Sequence, residues 1–188
     1  MNHLRLQILD PITCERLLEK LTHEAEWQDG SLTAGTHAKG GKRNFQLNYD
    51  SPLRKEIHEL VERSMWSNPA VKGFCLPRKL HRLLVTKTEK DGGYDTHVDN
   101  AYMSSGRSDL SFTLSLTDDM IYVGGELEID SISESFPIKL KQGEIVIYPS
   151  TSLHRVCPVT TGVRTVCVGW IESYVQLESD RICLFQLE

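Results

Sequence analysis

The amino-acid sequence predicts a mainly β domain, of the sandwich, jelly-roll or barrel type, with helices packed on it. Three observations lead there. Helical spacing of apolar residues is confined to the first part of the chain. After Pro77 the pattern becomes a series of short extended runs separated by turn residues at regular intervals. The length, 188 residues with 39% hydrophobic and 25% charged, suits one soluble domain with a true core rather than a disordered chain.

Taken in order, ILDPITCERLLEKL offers Asp10 as an N-cap and Pro11 at the first helical position, followed by Ile12, Leu17, Leu18 and Leu21 at helical spacing. WQDGSLTAGTHAKGGKR is rich in Gly, Thr and Lys and reads as a loop or loose hairpin. DSPLRKEIHELVERSMW gives a second helix, capped by Ser51 and started by Pro52, whose stripe of Ile57, Leu60, Val61, Met65 and Trp66 is expected to pack on a sheet. The extended runs are LHRLLVTKT, YDTHVDNAY, DLSFTLSLT, GGELEID, FPIKLKQ, GEIVIYPS, LHRVCPV and VRTVCVGWIESY. The organisation expected is a single domain: a helical part over 1–79, a β core over 80–175 and a closing segment over 176–188. No internal repeat or low-complexity tract interrupts it.

The formal net charge of −5, with no long basic run, lacks the electrostatic footprint of a protein that binds nucleic acid or a membrane surface. The cysteines, Cys14, Cys75, Cys157, Cys167 and Cys183, are odd in number and form no C-x-x-C pair, which argues against a disulfide framework and a thiolate zinc site. They read as reduced, mostly packed thiols. MNHLRLQILD lacks the apolar run of a signal peptide, and no stretch is long and apolar enough to span a bilayer, so the expected location is the cytoplasm.

The chemistry starts at HVDNAYM, residues 97 to 103. In an extended segment residues two apart share a face, so His97 and Asp99 point together. That pair alone is a common accident. A single His154 in the late run YPSTSLHRV completes the donor set of a 2-His-1-carboxylate facial triad, which suits iron(II) and leaves positions open on it. Arg164 follows ten residues later, across Pro-Val-Thr-Thr-Gly. A hairpin centred near Thr161 would set His154 opposite Val168, with Arg164 on the same face, roughly 13 Å further along at about 3.3 Å per residue. A planar guanidinium at that distance suits the far carboxylate of a five-carbon diacid that also reaches the metal.

Other positions carry two readings each. Ser111, Thr113 and Ser115 alternate with Leu110, Phe112, Leu114 and Leu116, so the small polar face either lines a pocket or meets solvent. Gly124 and Gly125 serve a turn or bulge, or a close backbone approach. Asn100 either hydrogen-bonds the backbone of the ligand turn or touches substrate. His3, His23, His37, His58 and His81 read as structural or surface residues.

The order H-x-D, His, then Arg ten residues on resembles the iron(II)/2-oxoglutarate-dependent dioxygenases, and within them the PKHD-type hydroxylases, a prolyl/lysyl-hydroxylase-like branch. The segments that carry the resemblance are DGSLTAGTHA, LPRKL, HVDNA, GRSDLSFTLSL, GGELEI, YPSTSLHRVCPVTTGVRTVCVGWI and RICLFQL, which together span nearly the whole chain. The resemblance implies a double-stranded β-helix, the jelly roll of that superfamily, with helices packed on one sheet. It implies metal ligation by His97, Asp99 and His154 and a 2-oxoglutarate clamp at Arg164; Tyr94, Asn100, Thr113 and Ser115 stand beside these as pocket candidates read from the residues themselves. It implies iron(II), 2-oxoglutarate and dioxygen as reaction partners, ascorbate as a reductant, and hydroxylation of a C–H bond, plausibly on a prolyl or other amino-acid side chain of a peptide or protein. A small-molecule oxygenase on the same fold, or a metal-binding jelly roll without turnover, are the rival readings; the carboxylate clamp at Arg164 speaks against the second. One departure stands out: Lys87 and Thr88 occupy the place, nine or ten residues before the first ligand, where the family usually has a tyrosine.

Overall fold

The structure, a computed structural model, describes residues 3–33, 39–130 and 135–187. Its first half runs β1 (Leu4–Gln7), α1 (Pro11–Glu24), β2 (Trp27–Asp29), β3 (Lys42–Arg43), β4 (Phe45–Leu47), α2 (Pro52–Ser67), α3 (Pro69–Cys75), β5 (Pro77–Leu80), β6 (Leu84–Thr88) and β7 (Gly93–His97). The second half continues with β8 (Tyr102–Met103), β9 (Gly106–Arg107), β10 (Leu110–Ser115), β11 (Val123–Gly124), β12 (Leu127–Asp130), β13 (Ser135–Ile138) and β14 (Glu144–Pro149). It closes with β15 (His154–Val156), β16 (Val159–Thr161), β17 (Arg164–Ser173) and α4 (Glu178–Gln186).

Both helix starts follow from their first residues. Asp10 takes the Thr13 N–H at 2.9 Å, and Pro11 fills the first turn, where no amide proton is needed. Ser51 precedes Pro52 as expected, but its hydroxyl makes no cap bond; the Arg54 N–H donates to the Ser51 carbonyl instead. The buried stripe of α1 is Cys14, Leu17 and Leu21, with Ile12 left exposed, and that of α2 is Leu53, Ile57, Val61 and Met65.

Two sheets face each other. The larger has the order β1-β14-β10-β17-β6-β4-β2, with β5 paired to β17, and the smaller has β13-β12-β15-β7-β3. All pairs in them are antiparallel. This is the jelly-roll arrangement expected of the sequence, with one addition: residues 4–47, read as a helix followed by a loop or loose hairpin, also supply strands to both sheets. Those strands are two to four residues long, and the partners of β1, β3 and β4 in the core lie far along the chain, so no local periodicity announces them.

The large sheet is buried on both faces, which is why β10 and β17 have few exposed positions. Leu110, Phe112, Leu114 and Leu116 pack against the helices with Ile57, Val61 and Met65. Ser111, Thr113 and Ser115 turn the other way and are buried, and Ser111 and Thr113 line the space between the sheets. Gly169 completes the helix-facing side; a Cβ there would stand 2.7 Å from the Phe112 ring. Gly169→Ala is therefore expected to destabilise the protein by about 1–3 kcal/mol through overpacking, read as a lower urea midpoint with an unchanged slope.

The cysteines are all free, with Cys14, Cys75 and Cys167 buried. Among the described residues no helix is long and apolar enough to cross a membrane.

Candidate active site

The cavity between the sheets is where the separated sequence signals meet. β7 and β15 lie side by side in the smaller sheet, and their register sets His97 directly against His154. Asp99 follows two residues after His97, just past the end of β7. The three side chains each offer a ligand atom, all within 4.8 Å of one another. His97 Nε2 is 3.8 Å from Asp99 Oδ1, and His154 Nε2 is 3.7 Å from Asp99 Oδ2. Bonds of about 2.0–2.2 Å from one divalent ion bridge such separations with small side-chain adjustments.

Supporting contacts aim these atoms. His97 Nδ1 donates to the Asp95 carbonyl at 2.7 Å and His154 Nδ1 to the Ser152 carbonyl at 2.9 Å. Each bond fixes the tautomer that leaves the Nε2 lone pair free for a metal. The Tyr94 ring stacks on His97 with centroids 3.7 Å apart, and the Tyr148 ring stands edge-on to His154. Burial, then the neighbouring His154, pushes the His97 pKa down to about 4, so the imidazole is neutral at pH 7. Ser111 Oγ donates to Asp99 Oδ2 at 2.6 Å. Because that proton is used, Ser150 Oγ must donate to Ser111 at 2.8 Å and Ser108 Oγ to Ser150 at 2.9 Å, so a row of hydroxyls points at the carboxylate. The donor set, two imidazoles with Nε2 left free and one oriented carboxylate with a free side, fits iron(II).

Arg164 begins β17 and lines the same cavity from the opposite sheet, with only 5% of its surface exposed. The hairpin expected to set His154 opposite Val168 does not form. β15 pairs with β12 and β7, and β17 pairs with β10, β6 and β5; the intervening Pro158 and β16 carry the chain from one sheet to the other. Arg164 and His154 meet across the cavity rather than along one ladder. Its guanidinium lies beside Tyr122, whose oxygen accepts from it, and near Tyr148. Burial holds the arginine pKa below its ordinary value, with Tyr122 acting in the opposite sense. Burial raises the Tyr122 phenol, and raises Tyr148 well above the usual range, so both keep their protons. Gly125 is required here: its φ is +69°, and a Cβ would come within 2.9 Å of Arg164 Cδ. Both readings of the glycine pair apply, since the register also shifts between Val123 and Gly124.

Of the further candidates, Tyr94 and Thr113 line the cavity. Asn100 is exposed and off the cavity wall, because the chain has already left β7. Ser115 is buried but also off that wall; its hydroxyl donates to the Thr117 carbonyl. Thr88 faces the cavity opposite Arg164, and Lys87 points away, over the Trp27 and Phe45 rings. Tyr122 brings a phenol to Arg164, the kind of group that Lys87 and Thr88 do not supply. His81 is buried between Ser105 Oγ and the Arg107 carbonyl, outside the cavity, as are His3, His23 and His58. His37 lies outside the described residues. Sequence reasoning missed Tyr122, Trp170, Ser150 and Lys42 as site residues, and no local pattern singles them out: in the 42–47 stretch the apolar positions are Phe45 and Leu47, yet Lys42 is the side chain that turns inward.

Residues 82–172 match the family described as the 2OG-Fe(II) oxygenase superfamily. Together with the relatives that follow, that match gives the class: an oxygenase using iron(II), 2-oxoglutarate and dioxygen on a jelly roll. A PKHD-type hydroxylase from Synechococcus sp. (strain CC9311) is 85% identical over 188 residues, covering 100% of this chain and 86% of the relative. Another, from Prochlorococcus marinus (strain AS9601), is 47% identical with the same coverage. The chain belongs to the PKHD-type hydroxylases. Among solved structures, a Pseudomonas putida prolyl-4-hydroxylase superposes with a TM-score of 0.66 at 13% identity, over 93% of this chain and 94% of that one. A Trichoplax adhaerens prolyl hydroxylase, solved with a hypoxia inducible factor peptide fragment, gives 0.67 at 13%, over 97% and 86%. At such identity the likeness is one of fold.

Proposed function

We propose that the enzyme hydroxylates a prolyl or other amino-acid side chain of a peptide or protein, with His97, Asp99 and His154 as iron(II) ligands and Arg164 as the 2-oxoglutarate clamp. The observation that carries this reading is a buried guanidinium sharing one cavity with three convergent ligand atoms. Bound iron(II) would supply the activation of dioxygen, coupled to decarboxylation of 2-oxoglutarate to succinate and carbon dioxide. The chain's own residues do the rest. His97 and His154 present Nε2 in fixed tautomers, and Asp99, oriented by Ser111, contributes one negative charge to the metal site. Three ligands on one side leave the other side for co-substrate and oxygen. Arg164 offers two parallel N–H donors to a carboxylate, while protonated Tyr122 and Tyr148 add phenols nearby. Leu127, Val156 and Val168 line the cavity with apolar surface and limit access of water.

The prolyl assignment draws on the prolyl hydroxylases among the similar folds. Ascorbate as reductant and the cytoplasm as location belong to the same proposal. The test is incubation with iron(II), 2-oxoglutarate and oxygen, following succinate and a mass gain of one oxygen in a peptide digest of a bacterial proteome. Succinate release with no oxygenated peptide would sink the peptide reading in favour of a small-molecule substrate. Ser111→Ala is expected to weaken metal affinity by about 10–100-fold while the fold persists, measured by competition with a chelating dye.

A further inference from the structure

The cavity wall carries one charge that this reading leaves unused. Lys42 sits on β3, at the edge of the smaller sheet, as the cross-strand partner of Tyr94. Lys42, Asn44 and Gln46 turn inward while Arg43 and Phe45 are exposed. A lysine on an edge strand ordinarily extends its amine to water, as strand edges and long cationic side chains both favour. Lys42 is instead only 9% exposed and lines the cavity with His97 and Asp99. Its Nζ donates one hydrogen bond, to Thr33 Oγ1 at 3.1 Å, and lies 5.2 Å from the centre of the Tyr94 ring. Among the described residues it forms no ion pair; Asp99 and Asp29 act on it at longer range. Burial pushes its pKa down to about 8, so the amine keeps most of its charge at neutral pH.

Charge balance indicates what is missing. The charged side chains lining the cavity are Lys42, Arg164 and Asp99. Iron(II) and the 2-oxoglutarate dianion cancel each other, and Asp99 balances one of the two cations. The filled site keeps one excess positive charge in a place poor in water, where an unpaired charge is costly and an anion is the natural complement. Both carboxylates of 2-oxoglutarate already have partners, Arg164 and the metal. We propose that Lys42 receives a carboxylate of the primary substrate, so that the enzyme acts on a carboxylate-bearing molecule or residue and Lys42 selects for it. This rests on the assignment of Arg164 and the metal triad given above.

The experiment uses protein loaded with zinc(II), which binds the same donors without redox chemistry, and saturated with 2-oxoglutarate. Butyrate and butyramide, alike in shape and different in charge, are titrated and followed by saturation-transfer NMR. Wild type is expected to bind butyrate at least about tenfold more tightly than butyramide, the worth of one charge-assisted hydrogen bond, and Lys42→Gln to lose that preference. Equal binding of the two probes to wild type, or an undiminished preference in Lys42→Gln, overturns the proposal. So does a preference that vanishes when 2-oxoglutarate is added, or a tenfold loss of 2-oxoglutarate affinity in Lys42→Gln, since either assigns the amine to the co-substrate. Titration of 2-oxoglutarate into wild type comes first. Failure at that step overturns the Arg164 reading as well, whereas failure with butyrate alone overturns only the role of Lys42.

Discussion

Asp99→Ala is expected to abolish coupled turnover and to weaken metal binding by more than about 100-fold, beyond the loss typical of a supporting contact. The carboxylate is the one anionic group among the three proposed ligands and faces both imidazoles. The fold should persist. The two apolar clusters that hold the sheets and helices together contain none of the ligands, and Asp99 lies outside regular strand structure. Removing it leaves Ser111 with a free hydroxyl proton and takes from Lys42 a longer-range charge rather than a close ion pair. A readout independent of catalysis is thermal stability with and without zinc(II). At a metal concentration 100 times the dissociation constant, wild type gains about 2.7 kcal/mol. The variant, with an unchanged circular dichroism spectrum, should gain close to nothing. Succinate formation equal to wild type would remove Asp99 from the metal site.

The triad is legible in sequence because its logic is local on one side and chemical on the other. His97 and Asp99 need only the two-residue repeat of a strand, and His154 needs only to be the one histidine in a late apolar strand. The place of Arg164 on the cavity wall was also legible, yet the route proposed for it was not. A chain that changes sheets at Pro158 and β16 gives the same ten-residue spacing as a hairpin, and only tertiary pairing separates the two. Tyr122 and Lys42 were hidden for another reason. Neither lies near a ligand in sequence; Lys42 reaches the cavity through the pairing of β3 with β7, and Tyr122 reaches Arg164 from the turn before β11, and local patterns encode neither. The inward face of β10 was visible as an alternation, but its direction depended on which sheet face the helices would cover. The helices were legible from their caps and stripes, while the short strands between them were not, because a two- or three-residue strand at a sheet edge carries no period.

Arg164 separates an oxygenase from a metal-binding jelly roll without turnover. If its guanidinium holds the distal carboxylate of 2-oxoglutarate, Arg164→Ala loses both the charge and the paired donors, and Arg164→Lys keeps the charge but loses the planar fork. Charge-assisted hydrogen bonds contribute about 1.5–3 kcal/mol each, so the alanine variant should bind 2-oxoglutarate at least ~10-fold more weakly while retaining its metal. The lysine variant should fall between, since one ammonium replaces two aligned donors and its shorter reach leaves Tyr122 without the partner it accepts from. Anaerobic titration of the iron(II)-loaded protein, followed by the charge-transfer absorption of the chelate, measures both affinities before any turnover. Equal affinity in wild type and Arg164→Ala would place the clamp elsewhere in the cavity, and Lys42, the other cation on its wall, would be the first residue to exchange roles with it.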